Sequence, residues 1–272
     1  MMRFADKLAR AAENNGSLLC VGLDPDPTLL AGRDIASFLR AIIDATKDLV
    51  CAYKPNLAFY EQLGEAGYAT LRDVLQAIPD DIPVIADAKR GDIANTAQAY
   101  ARALFDELKV DAATVNPYLG SDAVAPFLER ADKGVFIVCR TSNHGARDLQ
   151  DLPIAGAGGT RPLYQVVAEL AMQWNSHGNV GLVVGATYPE ETRLLRELCP
   201  DLPFLVPGVG RQEGELAEAV QAGLDARGGG IIVNASRSVL YASAGDDFAE
   251  AARREAKALR DAIEEHRRAA QV

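Results

Sequence analysis

A chain of 272 residues with four cysteines, three histidines and one tryptophan has little of what builds metal centres or disulfide scaffolds. Cys20, Cys51, Cys139 and Cys199 form no CxxC and no Cys/His spacing of a metal site. The first three lie inside apolar, strand-like runs, so they read as buried reduced thiols. The histidines form no HxxxH or HExxH, and the acids no ligating cluster, so no metal is expected. His177 and His266 read as solvent-facing, and only His144 follows a strand closely enough to approach a ligand. Long apolar runs are also missing. Ile231-Ile232-Val233 and the stretch 180–186 fall far short of the roughly 20 residues that cross a bilayer. The first residues, Met1-Met2-Arg3-Phe4-Ala5-Asp6-Lys7, lead into an amphipathic charged stretch and not into a signal peptide. A cytoplasmic location is therefore expected. Excess positive charge is absent too: 38 acids against 28 bases leave −10, so neither nucleic acid nor an anionic membrane is an expected partner. An anionic substrate would need a positive site built locally.

What is present is an ordinary globular composition, 49% apolar and 24% charged, which excludes disorder and collagen-like repeats. The length suits one large core, and with no linker or solenoid repeat the chain reads as a single domain, 1–272. A compact fold of this size has a radius of gyration of roughly 18 Å and buries about three quarters of its unfolded surface. Eight short apolar runs recur: Leu18–Leu23, Leu49–Tyr53, Pro83–Ala88, Ala112–Asn116, Gly134–Cys139, Val180–Gly185, Pro203–Pro207 and Gly230–Asn234. They are continuous and not alternating, as in parallel strands covered on both faces. Helical patterns lie between them at Ile35–Asp48, Leu57–Ala77, Ile93–Leu108, Ala123–Ala131, Leu163–Ser176, Glu190–Leu198 and Glu213–Asp225. Phe4–Glu13 opens the series and Asp247–Arg268 closes it. Trp174 and the aromatics on helices read as core.

Eight β-α units in about 250 residues predict an α/β fold, a (β/α)8 TIM barrel with an extra N-terminal helix. The rival, a doubly wound open sheet binding a dinucleotide, would carry GxGxxG after its first strand. Here that strand runs into Gly22-Leu23-Asp24-Pro25-Asp26-Pro27. The segment from Thr141 to Thr160 is rich in Gly, Asp and Asn and long enough to be a lid or an insertion.

Barrel chemistry sits at the C-terminal ends of the strands. In order these are Asp24, Lys54, the run Asp87-Ala88-Lys89-Arg90-Gly91-Asp92, Asn116-Pro117, Arg140-Thr141-Ser142, Pro207-Gly208-Val209-Gly210, and Asn234-Ala235-Ser236-Arg237. Ionised groups at the end of an apolar strand are costly to desolvate unless paired. Asp87 and Lys89, two apart on a strand, are expected to point the same way, toward the barrel axis. Asp92 and Thr96, four apart, are expected on one face of the following helix. Plainer readings stand beside these: Asp92 as a helix cap, Asp87 and Lys89 as a structural ion pair, Lys54 as a snorkelling rim lysine, Asp24 as a turn residue. After strands seven and eight, the glycines of 207–210, the amide of Gln212 and the pair Ser236-Arg237 occupy the place where barrels commonly hold a phosphate.

Together these segments resemble the orotidine 5′-phosphate decarboxylase family, in its longer bacterial type. The resemblance rests on Val21-Gly22-Leu23-Asp24-Pro25, Tyr53-Lys54-Pro55-Asn56 with Phe59, and Asp87-Ala88-Lys89-Arg90-Gly91-Asp92-Ile93. It continues through the run 114–122, Thr141-Ser142-Asn143, Pro207-Gly208-Val209-Gly210 with Gln212, and Ser236-Arg237, in the family's order across residues 17–242. It implies an alternating-charge tetrad of Lys54, Asp87, Lys89 and Asp92. It also implies a homodimer in which Asp92, Ile93 and Thr96 reach the neighbouring site. Asp24 would bind the ribose hydroxyls with Lys54, Asp92 and Thr96, and Ser142 would meet the pyrimidine. Pro207 and Ser236 would line the site, and Gln212 and Arg237 would hold the phosphate. The chain departs from shorter members at Ser236, where they usually have glycine, and in the length of the segment 143–160.

The implied activity is decarboxylation of orotidine 5′-monophosphate to UMP, the last step of pyrimidine synthesis, without a cofactor. Loss of CO2 from C6 leaves an electron pair that the ring carbonyls cannot absorb by resonance. Decarboxylases normally use an organic or metal electron sink, and the sequence shows no motif for one. A fixed ammonium in a dry, preorganised site is the remaining device, with Lys89 as both counter-charge and proton donor. Two readings compete: a metal-dependent sugar-phosphate lyase or aldolase of related barrel type, and a non-catalytic nucleotide-binding barrel.

Overall fold

The computed structural model describes residues 2–156, 159–208 and 213–270. Along the chain run α1 (Phe4–Asn15), β1 (Leu19–Gly22), α2 (Ile35–Thr46), β2 (Ala52–Lys54), α3 (Ala58–Glu61), α4 (Glu65–Ala77), β3 (Ile85–Arg90), α5 (Ala94–Arg102), β4 (Ala112–Val115), α6 (Ser121–Leu128) and β5 (Gly134–Arg140). There follow β6 (Pro153–Gly156), β7 (Gly159–Pro162), α7 (Leu163–Trp174), β8 (Val180–Val184), α8 (Pro189–Leu198), β9 (Phe204–Pro207), α9 (Glu213–Gly223), β10 (Ile231–Ala235), α10 (Arg237–Leu240) and α11 (Phe248–Ala269). Eight strands form one parallel sheet in the order β2-β1-β10-β9-β8-β5-β4-β3. Bridges from Tyr53 to Val84 and from Asn56 to Asp87 bring its two edges together into a nearly closed barrel. This is the expected fold, with α1 as its additional N-terminal helix.

The strands alternate their side chains between the helices and the axis. Inside, Cys20, Ala52, Ile85, Ala112, Phe136, Val183, Leu205 and Ile232, one from each barrel strand, make a buried apolar layer with Phe4. Phe4 enters from α1, its ring edge-on to Phe136 at 5.8 Å and pressed against the start of β5. The helix therefore stoppers the mouth opposite the strand C-termini. Two residues further along the same strands stand Gly22, Lys54, Asp87, Thr114, Val138, Gly185, Pro207 and Asn234. The barrel interior thus changes from wholly apolar to partly charged in one step, and that step makes the floor of the site.

Several elements differ from the sequence expectation. The helix expected over Leu57–Ala77 is two, because Gly64 adopts φ +64° between α3 and α4 and a side chain at Gly67 would collide with the carbonyl of Tyr60. The helix expected over Ile93–Leu108 begins at Ala94 and ends in a π-helical turn, Ala103–Glu107. The segment after β5 is a folded insertion: a 3₁₀ turn (His144–Asp148) followed by the antiparallel hairpin β6–β7. Trp174 is half-buried and packs against the core as expected, whereas Tyr68 on α4 is exposed, so not every helical aromatic joins it. All four cysteines are buried, as expected. His144 and His177 are exposed and His266 is intermediate.

Candidate active site

A cleft of 370 Å³ opens above the polar layer, lined by Asp24, Asp26, Lys54, Phe59, Asp87, Pro207, Gly208, Asn234, Ser236, Arg237, Ser238 and Tyr241. Six of the residues expected from the sequence meet here: Asp24, Lys54, Asp87, Pro207, Ser236 and Arg237.

Asp87 is the hub. Its Oδ2 takes a hydrogen bond from Lys54 Nζ at 3.1 Å, and its Oδ1 takes bonds from Lys89 Nζ at 2.5 Å and Thr114 Oγ1 at 2.9 Å. Lys54 is only 3% exposed, so it is no snorkelling rim residue. Burial works against its charge, but Asp24 and Asp87 outweigh burial and raise its pKa. Burial likewise pushes the Asp87 carboxyl up, yet Lys54 and Lys89 prevail and hold it at about 2. Asp24 is fixed by Asn56, whose backbone N–H donates to Oδ1 at 3.0 Å, and Tyr241 donates to its carbonyl. Asp26 caps a short turn through Thr28 instead.

Lys89 reaches Asp87 by a route that strand alternation does not describe. The β3–β4 register shifts between Ala86 and Arg90, and Lys89 sits at φ +47°, in the left-handed region. Its N–H leaves the strand ladder and donates to Thr114 Oγ1 at 2.9 Å. Thr114 therefore holds both the carboxylate and the backbone of the lysine that flank it. A non-glycine residue in this conformation is a strain the surroundings must hold.

The expected pairing of Asp92 and Thr96 on one helical face is corrected. α5 starts at Ala94, itself at φ +47°, with Ile93 as its N-cap residue, so Asp92 lies outside the helix. The Asp92 carboxylate accepts the N–H of Ile93 and lies outside the cleft. Ile93 and Thr96 are exposed on the same outer edge. Within one chain, then, three of the four expected charges are linked and the fourth faces outward.

Ser142 stands at the rim. Its backbone crowds Gly185, and its hydroxyl lies 3.6 Å from where a side chain on Gly208 would begin. The preceding Arg140 does not face the cleft. It is buried between the rings of Tyr164 and Tyr188 and paired with Asp151 at 2.7 Å and Glu191 at 3.4 Å. With Gln150, which clasps both the N–H and the hydroxyl of Thr141, it straps the insertion to the barrel beside Ser142. Gln212 and residues 209–211 lie outside the described residues. Among the described residues no group of His, Cys, Asp and Glu could hold a metal ion, and no helix is long and apolar enough to cross a membrane.

The sequence gives Thr114 and Phe59 a place in the segments that carry the resemblance but no role in the site, and it does not single out Tyr241. Strand periodicity marks Thr114, which follows the inward Ala112 by two, whereas Asn116 at the strand's end makes a turn with Tyr118. Phe59, in α3, lines the cleft as well.

A family model described as "Orotidine 5'-phosphate decarboxylase / HUMPS family" matches residues 17–254. An orotidine 5′-phosphate decarboxylase of Thermomicrobium roseum is 56% identical over 275 residues, covering 98% of this chain and 97% of that protein. One from Dehalococcoides mccartyi is 51% identical over 268 residues, covering 98% and 99%. The solved structure of Leishmania donovani OMP decarboxylase superposes with a TM-score of 0.87 at 44% identity, covering 98% of this chain and 99% of that one.

Proposed function

The chain belongs to the orotidine 5′-phosphate decarboxylase / HUMPS family, and from that premise we propose that it is a carboxy-lyase that converts orotidine 5′-monophosphate to UMP in the cleft above Asp87. The observation that carries the reading is the chain of charges Lys54–Asp87–Lys89, whose first two members line that cleft and whose third is paired to Asp87.

In the reaction the C6–carboxylate bond breaks, its electron pair stays on C6, and CO2 departs. The Lys89 ammonium faces that pair and then gives C6 a proton, to be replaced from solvent. A full positive charge placed where negative charge appears, in a site that need not reorganise, lowers the barrier by electrostatics alone. Asp87 aims Lys89, and Lys54 on its other oxygen helps to keep Asp87 ionised. Arg237 holds the phosphate, with Gln212 as its partner by resemblance. Asp24 and Lys54 take ribose hydroxyls, and Ser142 takes the pyrimidine. Binding energy from the remote phosphate helps to exclude water from the ring.

The site is completed in a homodimer. Ile93 is 55% exposed, and Tyr118 and Leu119 are exposed on the adjoining loop, where Gly91 packs against the carbonyl of Asn116. An apolar edge beside Asp92 and Thr96 suits a second copy that receives these residues at its own cleft.

The test is direct. Purified protein mixed with orotidine 5′-monophosphate and excess EDTA is expected to bleach the substrate's ultraviolet absorbance and release CO2. Absence of turnover, or turnover abolished by the chelator, would favour the metal-dependent lyase reading instead.

A further inference from the structure

Four buried side-chain atoms among the described residues lack a hydrogen-bond partner within the chain: Arg140 Nε, Arg161 Nε, Asn179 Oδ1 and Asn234 Oδ1. Of these only Asn234 lines the cleft. It is 5% exposed and stands on β10 in the same inward layer as Lys54 and Asp87. Its Nδ2 donates to Ser236 Oγ across a long 3.4 Å, and Ser236 is itself seated against Gly22, where a methyl group would lie 1.9 Å from that oxygen. Ser236 thus occupies one end of the amide and leaves the acceptor end to the cleft. A buried acceptor without a donor is a standing cost that a ligand able to donate removes.

We propose that Asn234 reads the ribose of the bound nucleotide, its Oδ1 accepting a hydrogen bond from a sugar hydroxyl, with Ser236 as the residue that positions it. The inference rests on the cleft being the site for orotidine 5′-monophosphate. Phosphate, carboxylate and ring carbonyl oxygens can only accept from a protein donor. The nucleotide's own donors are the two ribose hydroxyls and the ring N3–H. Ser142, on the loop after β5, is assigned to the ring. Asn234 is separated from β5 by β9 and β8 and adjoins β1, which leads into Asp24. The hydroxyls are therefore the donors within its sector of the barrel.

The experiment compares UMP, 2′-deoxy-UMP and 3′-deoxy-UMP by calorimetry on the wild type, Asn234→Ala and Asn234→Ser, with a melting curve to show that each variant is folded. The wild type is expected to bind one deoxynucleotide about tenfold more weakly than UMP, the scale of one buried hydrogen bond. Asn234→Ala is expected to lose a similar factor for UMP and to lose discrimination against that deoxynucleotide alone. Ser236→Ala, which frees the amide to rotate without removing it, is expected to erode the same discrimination in part. Equal weakening of all three nucleotides by the Asn234 variants, or unchanged UMP binding, overturns the proposal. Failure of the wild type to decarboxylate orotidine 5′-monophosphate would instead sink the functional reading beneath it.

Discussion

Lys54 and Lys89 share one carboxylate, each ammonium on its own oxygen of Asp87, at 3.1 and 2.5 Å. Removing that anion would set two positive charges against each other, with Lys54 deeply buried. Asp87→Asn is expected to cost about 3 kcal/mol of stability, the scale of breaking a buried ion pair, and most of the activity. The pH dependence has a definite sign. Asp87 is held at about 2 from an ordinary 3.8, so the stabilisation it contributes is fully present above pH 4 and lost as pH falls through about 2. That contribution is about 2 kcal/mol. Lys54, raised from its ordinary value, contributes stability that is lost only at strongly alkaline pH. Urea unfolding of the wild type and Asp87→Asn from pH 6 to pH 2 checks this. The gap between them should narrow toward the acid end, and a constant gap would contradict it.

Lys89 is the half-exposed member of the trio, at 48% against 3% for Lys54. Its removal should therefore disturb chemistry more than folding. Lys89→Ala is expected to lower kcat by at least about a thousandfold, the upper range for one preorganised electrostatic group. The melting temperature should fall only slightly and UMP binding should persist. Retained turnover would remove Lys89 from the mechanism.

The outward position of Asp92 supplies a test of shared sites. If Asp92 works across a dimer, Lys89→Ala and Asp92→Asn damage different halves of each site, so a hybrid dimer holds one intact site and one doubly broken site. After denaturation and refolding together, two individually dead variants should recover about a quarter of wild-type activity, from random pairing into half hybrids with one good site of two. No recovery, in a preparation that sedimentation shows to be dimeric, would place Asp92 in its own chain's site.

Much of this was legible in the sequence because parallel strands bury both faces and so read as unbroken apolar runs. Eight such runs left little choice of fold, and charges at their ends stood out against them. What strand periodicity could not convey was the backbone near the chemistry. The kink that puts Lys89 at φ +47° breaks the two-residue alternation on which the expected alignment of Asp87 and Lys89 relied. The two residues meet nonetheless, because Thr114 on the neighbouring strand holds both. Arg140 was misplaced for a related reason. A register shift between Val138 and Arg140 accompanies its side chain lying among Tyr164, Tyr188, Asp151 and Glu191, partners 11 to 51 positions away in sequence. The hairpin beyond it carries no apolar alternation: Ile154 and Ala155 face Arg161 and Thr160 between a Pro153–Pro162 pair and a Gly156–Gly159 pair.

Arg237 lines the same cleft as Asp87, and among the described lining residues Lys54 is the one other lysine or arginine. Arg237→Ala is expected to raise KM for orotidine 5′-monophosphate about a hundredfold, as for truncating one partner of a desolvated charge pair. Far-ultraviolet circular dichroism and the melting temperature should stay close to wild type. Because phosphate binding also helps to dry the ring site, kcat should fall as well, though by less. An unchanged KM would put the phosphate elsewhere.

Gly22 and Ser236 make a pair whose coupling can be measured. A methyl group on Gly22 would lie 1.9 Å from Ser236 Oγ and 2.8 Å from its Cβ, and only then 3.0 Å from Asp24 Oδ2. Gly22→Ala alone must push either Ser236 or β1 out of place, and β1 is fixed by its pairing with both β2 and β10. A loss of about 2 kcal/mol is expected, typical of overpacking a tight core. Ser236→Gly removes both of the closest atoms and is expected to cost little by itself, because the hydroxyl's contact with Asn234 is long, at 3.4 Å. The double variant should therefore recover most of the stability that Gly22→Ala loses, a coupling of about 1 kcal/mol or more in a denaturation cycle. Simple additivity of the two single changes would mean that the clash is relieved by movement of β1, and that Ser236 is not seated where its contact with Asn234 requires.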